Sequence, residues 1–478
     1  MVRIRAYHTR PSCSKYPRRS CFVPNGWKNF QYPLAEYPCP GTLAPKNQER
    51  RTAFMHTKDS IYMPADKPPI SKWIPLSIQH VFAMFGATVL VPILTGLSIT
   101  SALFTAGTGT LLYILITGAK VPAFLGSSFA FIPALIGISS VYGIPYAMGG
   151  AVAAGIFYCI VSAIIRAVGL SWIKKALPPV VIGSVIIVIG LNLAPTAMGM
   201  AMNDGSGNYS LVYLSIAVVT LGCTVIANIF LSGFFSTIPI LIGLICGYVF
   251  TLIMGSVFPA YALIDFSGVG SALWFGLPVF QLPKFNLVAI LTFVIVSLAT
   301  MAEHLGDTIT LGNVVGKDFT TNPGLHRTLA GDGIATAWAA FWGGPPNTTY
   351  GENIGVMAIT RVYSVWVIGG AAIVATTLSF LPKFGALIQT IPTPVIGGIS
   401  MLLFGIIASS GLRNLVESGV NYQDKRNLTI SSVILVIGIG GGMLAFPLGQ
   451  GMHFQMGGVA LATLVGIVLN LVIPKTIP

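Results

Sequence analysis

The chain has 478 residues, 54% hydrophobic and only 8% charged, with a mean hydropathy of +0.81 and a formal net charge of +13. A soluble protein with so few charges would expose very large apolar patches, so the composition excludes a soluble enzyme, a nucleic-acid-binding module and a disordered chain. The positive balance is no nucleic-acid footprint either: residues 1–54 hold ten Lys/Arg against two Asp/Glu and supply +8 of it.

Residues 1–72 differ in kind from the rest of the chain. They are basic, Pro-rich and without an apolar period, and they lack the apolar core of a secretory signal. The Arg-rich, acid-poor start also fits a mitochondrial transit peptide. The plainer expectation is a disordered tail without a role, or one translated from an upstream start, since Met55 and Met63 both precede the first apolar segment. Cys13, Cys21 and Cys39 lie in this tail without a C-x-x-C spacing, while Cys159, Cys223 and Cys246 sit in apolar runs and read as inert core thiols. No metal site or cofactor is expected.

From Ile74 onward the chain is a succession of apolar runs, each near the length of a spanning helix. Fourteen are predicted, at 74–97, 99–117, 122–140, 143–168, 176–198, 209–231, 234–256, 286–311, 324–343, 346–360, 362–381, 385–411, 427–447 and 455–474. With the N-terminus inside, twelve basic residues fall in cytoplasmic loops and ends and two, Lys284 and Lys383, outside. That bias supports an even count with both termini cytoplasmic. The expected fold class is therefore an all-α polytopic membrane protein.

Two runs are irregular. The third contains Pro122, Gly126, Ser127, Ser128 and Pro133; the tenth contains Pro345, Pro346, Thr348, Thr349 and Gly351. Each reads as an extended stretch leading into a half-helix, which is tolerated at membrane depth only when buried in protein or lining a cavity. The glycine cluster Gly440-Gly441-Gly442 reads as a site of close helix packing. The halves also resemble each other. Pro179, Gly183 and Gly190 match Pro394, Gly398 and Gly405 at an offset of 215, and the irregular runs align at 222. Seven runs per half make the second copy inverted, and inverted repeats with paired breaks point to a secondary transporter with a midplane site.

Few ionisable residues lie within the runs: Glu303, His304 and Asp307 in the eighth, Asp332 in the ninth and Glu352 in the tenth. Such residues are functional candidates by default. Glu303 and Asp307, four apart, share a helix face, whereas His304 is turned about 100° away. Two neighbouring carboxylates in a low dielectric cannot easily both be charged, so one is expected to carry a proton. Asp332, between two glycines, reads as structural. Carboxylate acceptors, N–H donors on half-helices and an aromatic wall at Phe129 suit a flat heterocycle with N–H and C=O groups in one plane. With no Arg or Lys expected at the site, a strongly anionic ligand is disfavoured. No H-E-x-x-H, Walker loop or G-x-S-x-G accompanies these acids, so an enzyme is not expected.

The runs Ser77–Pro92, Gly126–Phe131, Ala302-Glu303-His304 and Asn347–Ala358 resemble the nucleobase–ascorbate transporter family of nucleobase:cation symporters, over about 74–474. The resemblance implies fourteen segments in two inverted repeats of seven, making residues 73–474 a transporter domain. A core (74–168 and 286–381) would hold the substrate, and a gate (176–256 and 385–474) would rock against it. It also implies proton-coupled uracil uptake, driven by the proton gradient across the inner (plasma) membrane, and homodimers through the gate. By position Glu303 and Glu352 would bind the base through their carboxylates, and Phe129 and Gly351 through backbone N–H groups. Ala87 and Phe404 would line the pocket, and proton coupling would fall to Asp307, Glu303 or His304. The chain departs from the uracil-transporting members at Asp307, where they carry His and purine-transporting relatives often carry Asp, and at Phe404, where a Tyr is usual. Xanthine or another purine is therefore the first alternative substrate. An anion exchanger of the same fold is the second, and it would require a basic site.

Overall fold

The structure, a computed structural model, describes residues 62–449 and 452–474. Of the tail expected over residues 1–72, residues 1–61 lie outside the described residues, as do Cys13, Cys21 and Cys39; residues 62–72 are ordered, with a helix starting at Ile70, so the expected disorder does not hold for them.

The first helices are α1 (Ile70–Thr95) and α2 (Ile99–Ile116), the latter capped by Ser98 Oγ, which accepts from Ser101 N. Strand β1 (Leu125–Ser127) comes next, then a 3-10 turn (Phe129–Phe131) running into α3 (Ile132–Tyr142). Helices α4 (Ile144–Val168), α5 (Ser171–Ala176), α6 (Pro179–Asn192), α7 (Ala194–Met202), α8 (Leu211–Phe230), α9 (Pro239–Val257) and the short α10 (Ser267–Ser271) complete the first half. The second half opens with α11 (Leu287–Val315), α12 (Leu325–Phe341), strand β2 (Asn347–Thr349) and α13 (Gly351–Thr360). Then come α14 (Val365–Ser379), α15 (Pro382–Gln389), α16 (Thr393–Glu417), α17 (Lys425–Ile439), strands β3 (Met443–Gly449) and β4 (Met452–Gly457), and α18 (Gly458–Val472).

This is an all-α membrane protein with two small two-stranded sheets. Among the described residues eight helices are long and apolar enough to cross a bilayer, α6 and α7 counting as one, and a ninth arises if the bent pair α14–α15 is a single span. The helices pack in two sets. In one, α4 lies on α11 and α12, and α14 lies on α1 and α2; in the other, α16 lies on α6, α7 and α8, and α17 lies on α6 and α18. The sets meet where α11 packs on α6 and α18.

Several boundaries differ from the sequence expectation. The run 385–411 is not one helix. Helix α15 stops at Gln389, and Pro392, extended at φ −65°, ψ 144°, precedes the new helix α16. The proline ring disfavours helical backbone at the residue before it, which ends the first helix. The pair α14–α15 bends by 86°. The run 427–447 is helical only to Ile439. Gly440-Gly441-Gly442 does not serve helix packing but ends α17, with Gly441 at φ +72°, a conformation that costs any other residue type. The chain then forms the antiparallel hairpin β3–β4, which takes the first residues expected for the last run.

The other sheet is the centre of the fold. Strands β1 and β2 pair antiparallel, with Leu125 opposite Thr349, Gly126 opposite Thr348 and Ser127 opposite Asn347. Ser128 N to Pro346 O (2.9 Å) and Tyr350 N to Phe124 O (3.0 Å) extend the ladder. Neighbouring helices satisfy the outer edges. Thr110 Oγ1 of α2 accepts from Leu125 N (2.9 Å) and donates to Leu125 O (3.1 Å), and Thr336 Oγ1 of α12 donates to Asn347 O (2.8 Å). Asn347 Nδ2 donates to Thr105 O (3.0 Å). The Tyr350 hydroxyl accepts from Thr88 Oγ1 (3.2 Å) and donates to Ser127 O (3.1 Å), so its ring lies flat against the backbone of β1.

That approach requires a glycine at 126, where a Cβ would stand 2.5 Å from Tyr350 Cζ. Gly126→Ala should therefore destabilise the protein by about 1–3 kcal/mol, the usual cost of overpacking. Thermal unfolding in detergent measures it; an unchanged midpoint would show that Tyr350 is not pinned.

Candidate functional site

The strand pair leaves two helix starts facing each other, Phe129 at the head of the turn into α3 and Gly351 at the head of α13. The first N–H groups of a helix have no intrahelical partner and carry its positive end. Beside them runs α11. Glu303 and Asp307 project from one of its faces into a cavity of about 350 Å³, which is also lined by Phe129, Thr348, Thr349, Gly351 and Glu352. Thus three half-buried carboxylates and two helix starts converge on one space. Asp307 Oδ2 accepts from Thr349 Oγ1 (2.8 Å), tying α11 to β2. Glu303 Oε2 and Thr348 Oγ1 are buried and make no hydrogen bond within the protein. Next to Glu352, Asn353 Nδ2 donates to His80 O (3.2 Å) and lies 3.0 Å from His80 Nδ1, holding α13 to α1.

His304 is turned away from the cavity, as the step of about 100° per residue requires. It is fully buried, with Nδ1 3.0 Å from Asp332 Oδ2. That is an ion-pair distance, although the two atoms miss hydrogen-bond alignment. His304 Nε2 lies 3.4 Å from Thr308 Oγ1.

Of the expected site residues, the structure brings Phe129, Glu303, Asp307, Gly351 and Glu352 to the cavity wall and leaves three behind it. Ala87 is fully buried in α1, and His304 faces Asp332. Phe404, 1% exposed, packs edge-on behind Phe129 with ring centroids 5.6 Å apart. Arg413, exposed and on the last turns of α16, lines the same cavity; the expectation that no Arg or Lys stands at the site is therefore corrected. Sequence reasoning does not single out Thr348, Thr349 or Ile186 as lining. The paired hydroxyls after Pro345-Pro346 are the available signal for the first two, whereas Ile186 is one apolar residue among many on α6.

A larger cavity of about 580 Å³ lies between α3, the start of α11 and the β3–β4 hairpin. No carboxylate or base lines it, so the chemistry favours the smaller one. Among the described residues no group of three His, Cys, Asp or Glu is placed to hold a metal ion. Cys159, Cys223 and Cys246 are free thiols.

The model of the permease family matches residues 71–446. The uracil permease of Bacillus caldolyticus is 50% identical over 415 residues, covering 86% of this chain and 94% of that protein. The uracil permease of Escherichia coli K12 is 45% identical over 412 residues, covering 85% and 92%. Among solved structures, the transmembrane domain of the cyanobacterial bicarbonate transporter BicA matches with a TM-score of 0.57 at 13% identity, covering 84% of this chain and 96% of that one. SLC26A9 matches with a TM-score of 0.60 at 11% identity, covering 92% and 72%. At such identity these two likenesses concern the fold alone.

Thr349→Val keeps the side-chain shape but removes the donor to Asp307. It should cost about 1–3 kcal/mol, the penalty for leaving a buried acceptor unpaired, while Thr349→Ser, which keeps the hydroxyl, should lose less. Equal melting temperatures for the two variants would show that this hydroxyl does not hold the carboxylate.

Proposed function

The chain belongs to the permease family, and from that premise we propose that it carries uracil across the cytoplasmic membrane as a proton-coupled secondary active transporter. The observation that carries this reading is the convergence of Glu303, Glu352 and the starts of two half-helices on one cavity. Uracil is planar, with ring N–H donors and carbonyl acceptors. The carboxylates accept from the former, the N–H groups at Phe129 and Gly351 donate to the latter, and the Phe129 ring, backed by Phe404, forms the wall. The relatives named as uracil permeases, at 45–50% identity over most of the chain, support the same substrate.

Asp307 favours a second reading, a xanthine or other purine carrier, because purine-transporting relatives often have Asp there. The anion-exchanger reading has less support. One exposed arginine, Arg413, lines the cavity against three carboxylates. An anion there would meet repulsion in a low dielectric.

In this reading the chain crosses the bilayer fourteen times, as two inverted repeats of seven, with both termini cytoplasmic. The set containing α1–α4 and α11–α14 is the core, and the set containing α6–α9 and α16–α18 is the gate. Homodimers form through the gate, whose α8 and α9 carry exposed apolar residues such as Phe230 and Ile253. The twelve-to-two distribution of basic residues and the paired breaks support this topology.

Radiolabelled uracil uptake into proteoliposomes with an imposed pH gradient tests the function, with xanthine as competitor. Glu303→Gln and Glu352→Gln each turn an acceptor into a donor facing a ring N–H. Each should weaken uracil binding by about 1–3 kcal/mol. Near-normal affinity in both purified variants would remove these carboxylates from the site.

Uracil is neutral at pH 7, so its accumulation needs a coupled ion, and one proton moved down 100 mV supplies about 2.3 kcal/mol. Asp307 shares the cavity face with Glu303 and takes the coupling role. Asp307→Asn should still bind and exchange uracil but lose accumulation driven by a pH gradient. If such vesicles still concentrate uracil under a proton gradient alone, the coupling lies at Glu303 or His304.

A further inference from the structure

Residues 62–67, ahead of the first helix, run against the loop joining α13 to α14. Tyr62 and Val362 form a parallel bridge, Tyr363 N donates to Tyr62 O (2.8 Å), and Val365 N donates to Pro64 O (3.0 Å). Ser364 Oγ donates to Asp66 O (2.5 Å). The segment is itself folded into a turn, with Met63 N donating to Asp66 Oδ2 (2.7 Å) and Asp66 N donating to Met63 O (3.0 Å). Lys67 Nζ sits 4.1 Å above the Trp366 ring, and Trp73 Nε1 of α1 donates to Trp366 O (2.6 Å). A segment that needed only to enter the first helix would not make so many specific contacts with a loop some three hundred residues away.

We propose that residues 62–67 are a strap that positions α13, and through it the substrate-binding groups at Gly351 and Glu352. Met63 packs against a small apolar cluster that contains Ile354 and Met357 of α13, Leu125 of β1 and Tyr363 of the clamped loop. The strap therefore supports α13 from below, while the β1–β2 ladder and the Asn353–His80 contact hold its upper end. Helix α13 has only ten residues and is about 15 Å long. A helix that short moves as a rigid rod, so slack at Arg361 becomes displacement at Gly351. The binding groups need alignment to a fraction of an ångström, and the strap supplies the second fixed point.

Val365 offers a direct test in the full chain. It is the first residue of α14, where proline fits a helix, and the preceding Ser364 is already extended at φ −67°, ψ 124°. Val365→Pro thus removes the N–H that reaches Pro64 together with the buried isopropyl group, and Val365→Ala removes the isopropyl group while keeping the N–H. Met63→Gly removes the packing under α13, and Met63→Leu restores most of it. The kinetic arm rests on the uracil reading; amide hydrogen exchange of residues 351–360 needs no substrate and separates the two ideas. Val365→Pro and Met63→Gly should raise the KM for uracil by about tenfold with kcat per inserted carrier within about twofold, as expected for misaligned rather than absent hydrogen bonds. Exchange at 351–360 should speed up in both, while Val365→Ala and Met63→Leu stay close to the parent. Unchanged KM and exchange in Val365→Pro and Met63→Gly would overturn the proposal. So would failure of those two to insert while their partners insert normally, since the strap would then serve folding and not alignment. If the parent takes up no uracil, the substrate reading fails, and the exchange data alone decide whether the strap holds α13.

Discussion

Backbone polar groups cannot be left unpaired inside a bilayer. Breaking two helices at mid-depth exposes such groups, and the fold answers by pairing the breaks with each other. Leu125–Ser127 and Asn347–Thr349 pair across the ladder, Thr110 satisfies the outward N–H and C=O of Leu125, and Thr336 and Tyr350 donate to the carbonyls of Asn347 and Ser127. The pairing in turn creates two helix starts that face each other, which a continuous pair of helices could not supply. The site is thus a by-product of how the breaks are accommodated. Its geometry rests on the two threonines, on Asn347, and on Tyr350 lying over Gly126.

Helix α11 adds the second ingredient by sorting its polar residues by angle. Glu303 and Asp307 face the cavity, and His304, one step on, faces Asp332 of α12. From there a polar circuit returns to the site. Asp332 and Thr336 lie one turn apart on α12, Thr336 holds Asn347 of β2, and Thr349 of the same strand holds Asp307 of α11. Buried polar groups in such a circuit are costly unless matched and rigid when they are. On the cavity side, the Thr349 hydroxyl is the contact that ties Asp307 to the strand pair.

Much of this is legible in the sequence. The apolar runs locate the helices, because a bilayer demands long uninterrupted hydrophobicity. Pro122, Gly126, Pro345 and Pro346 locate both breaks, and the four-residue spacing places Glu303 and Asp307 together. What the sequence does not disclose depends on tertiary contact. The hairpin after Gly442 is written in apolar residues that read equally well as helix, and the break before Pro392 lies inside the apolar run 385–411. Ala87 and Phe404 are near the cavity yet behind its surface, a distinction that no periodicity encodes. Arg413 reads as a cytoplasmic-end charge, and only the packing of α16 brings it to the cavity.

The division of labour between the two helix sets has a consequence for transport. The groups proposed to meet the substrate, Glu303, Asp307, Glu352 and the two helix starts, all belong to the set built on α1–α4 and α11–α14. The other set lines the same cavity mainly with apolar side chains, among them Ile186 of α6 and Ile240 of α9, together with Asn228, Ser410 and Arg413; Phe404 of α16 stands behind Phe129. Hydrogen bonds are directional and costly to break in a low dielectric, whereas apolar contact is non-directional and tolerates sliding. In the proposed core-and-gate arrangement, the ligand's hydrogen bonds to the carboxylates and helix starts would travel with the set that makes them, while the contacts exchanged with the other set would be mostly apolar. Recognition would then add little to the barrier for translocation.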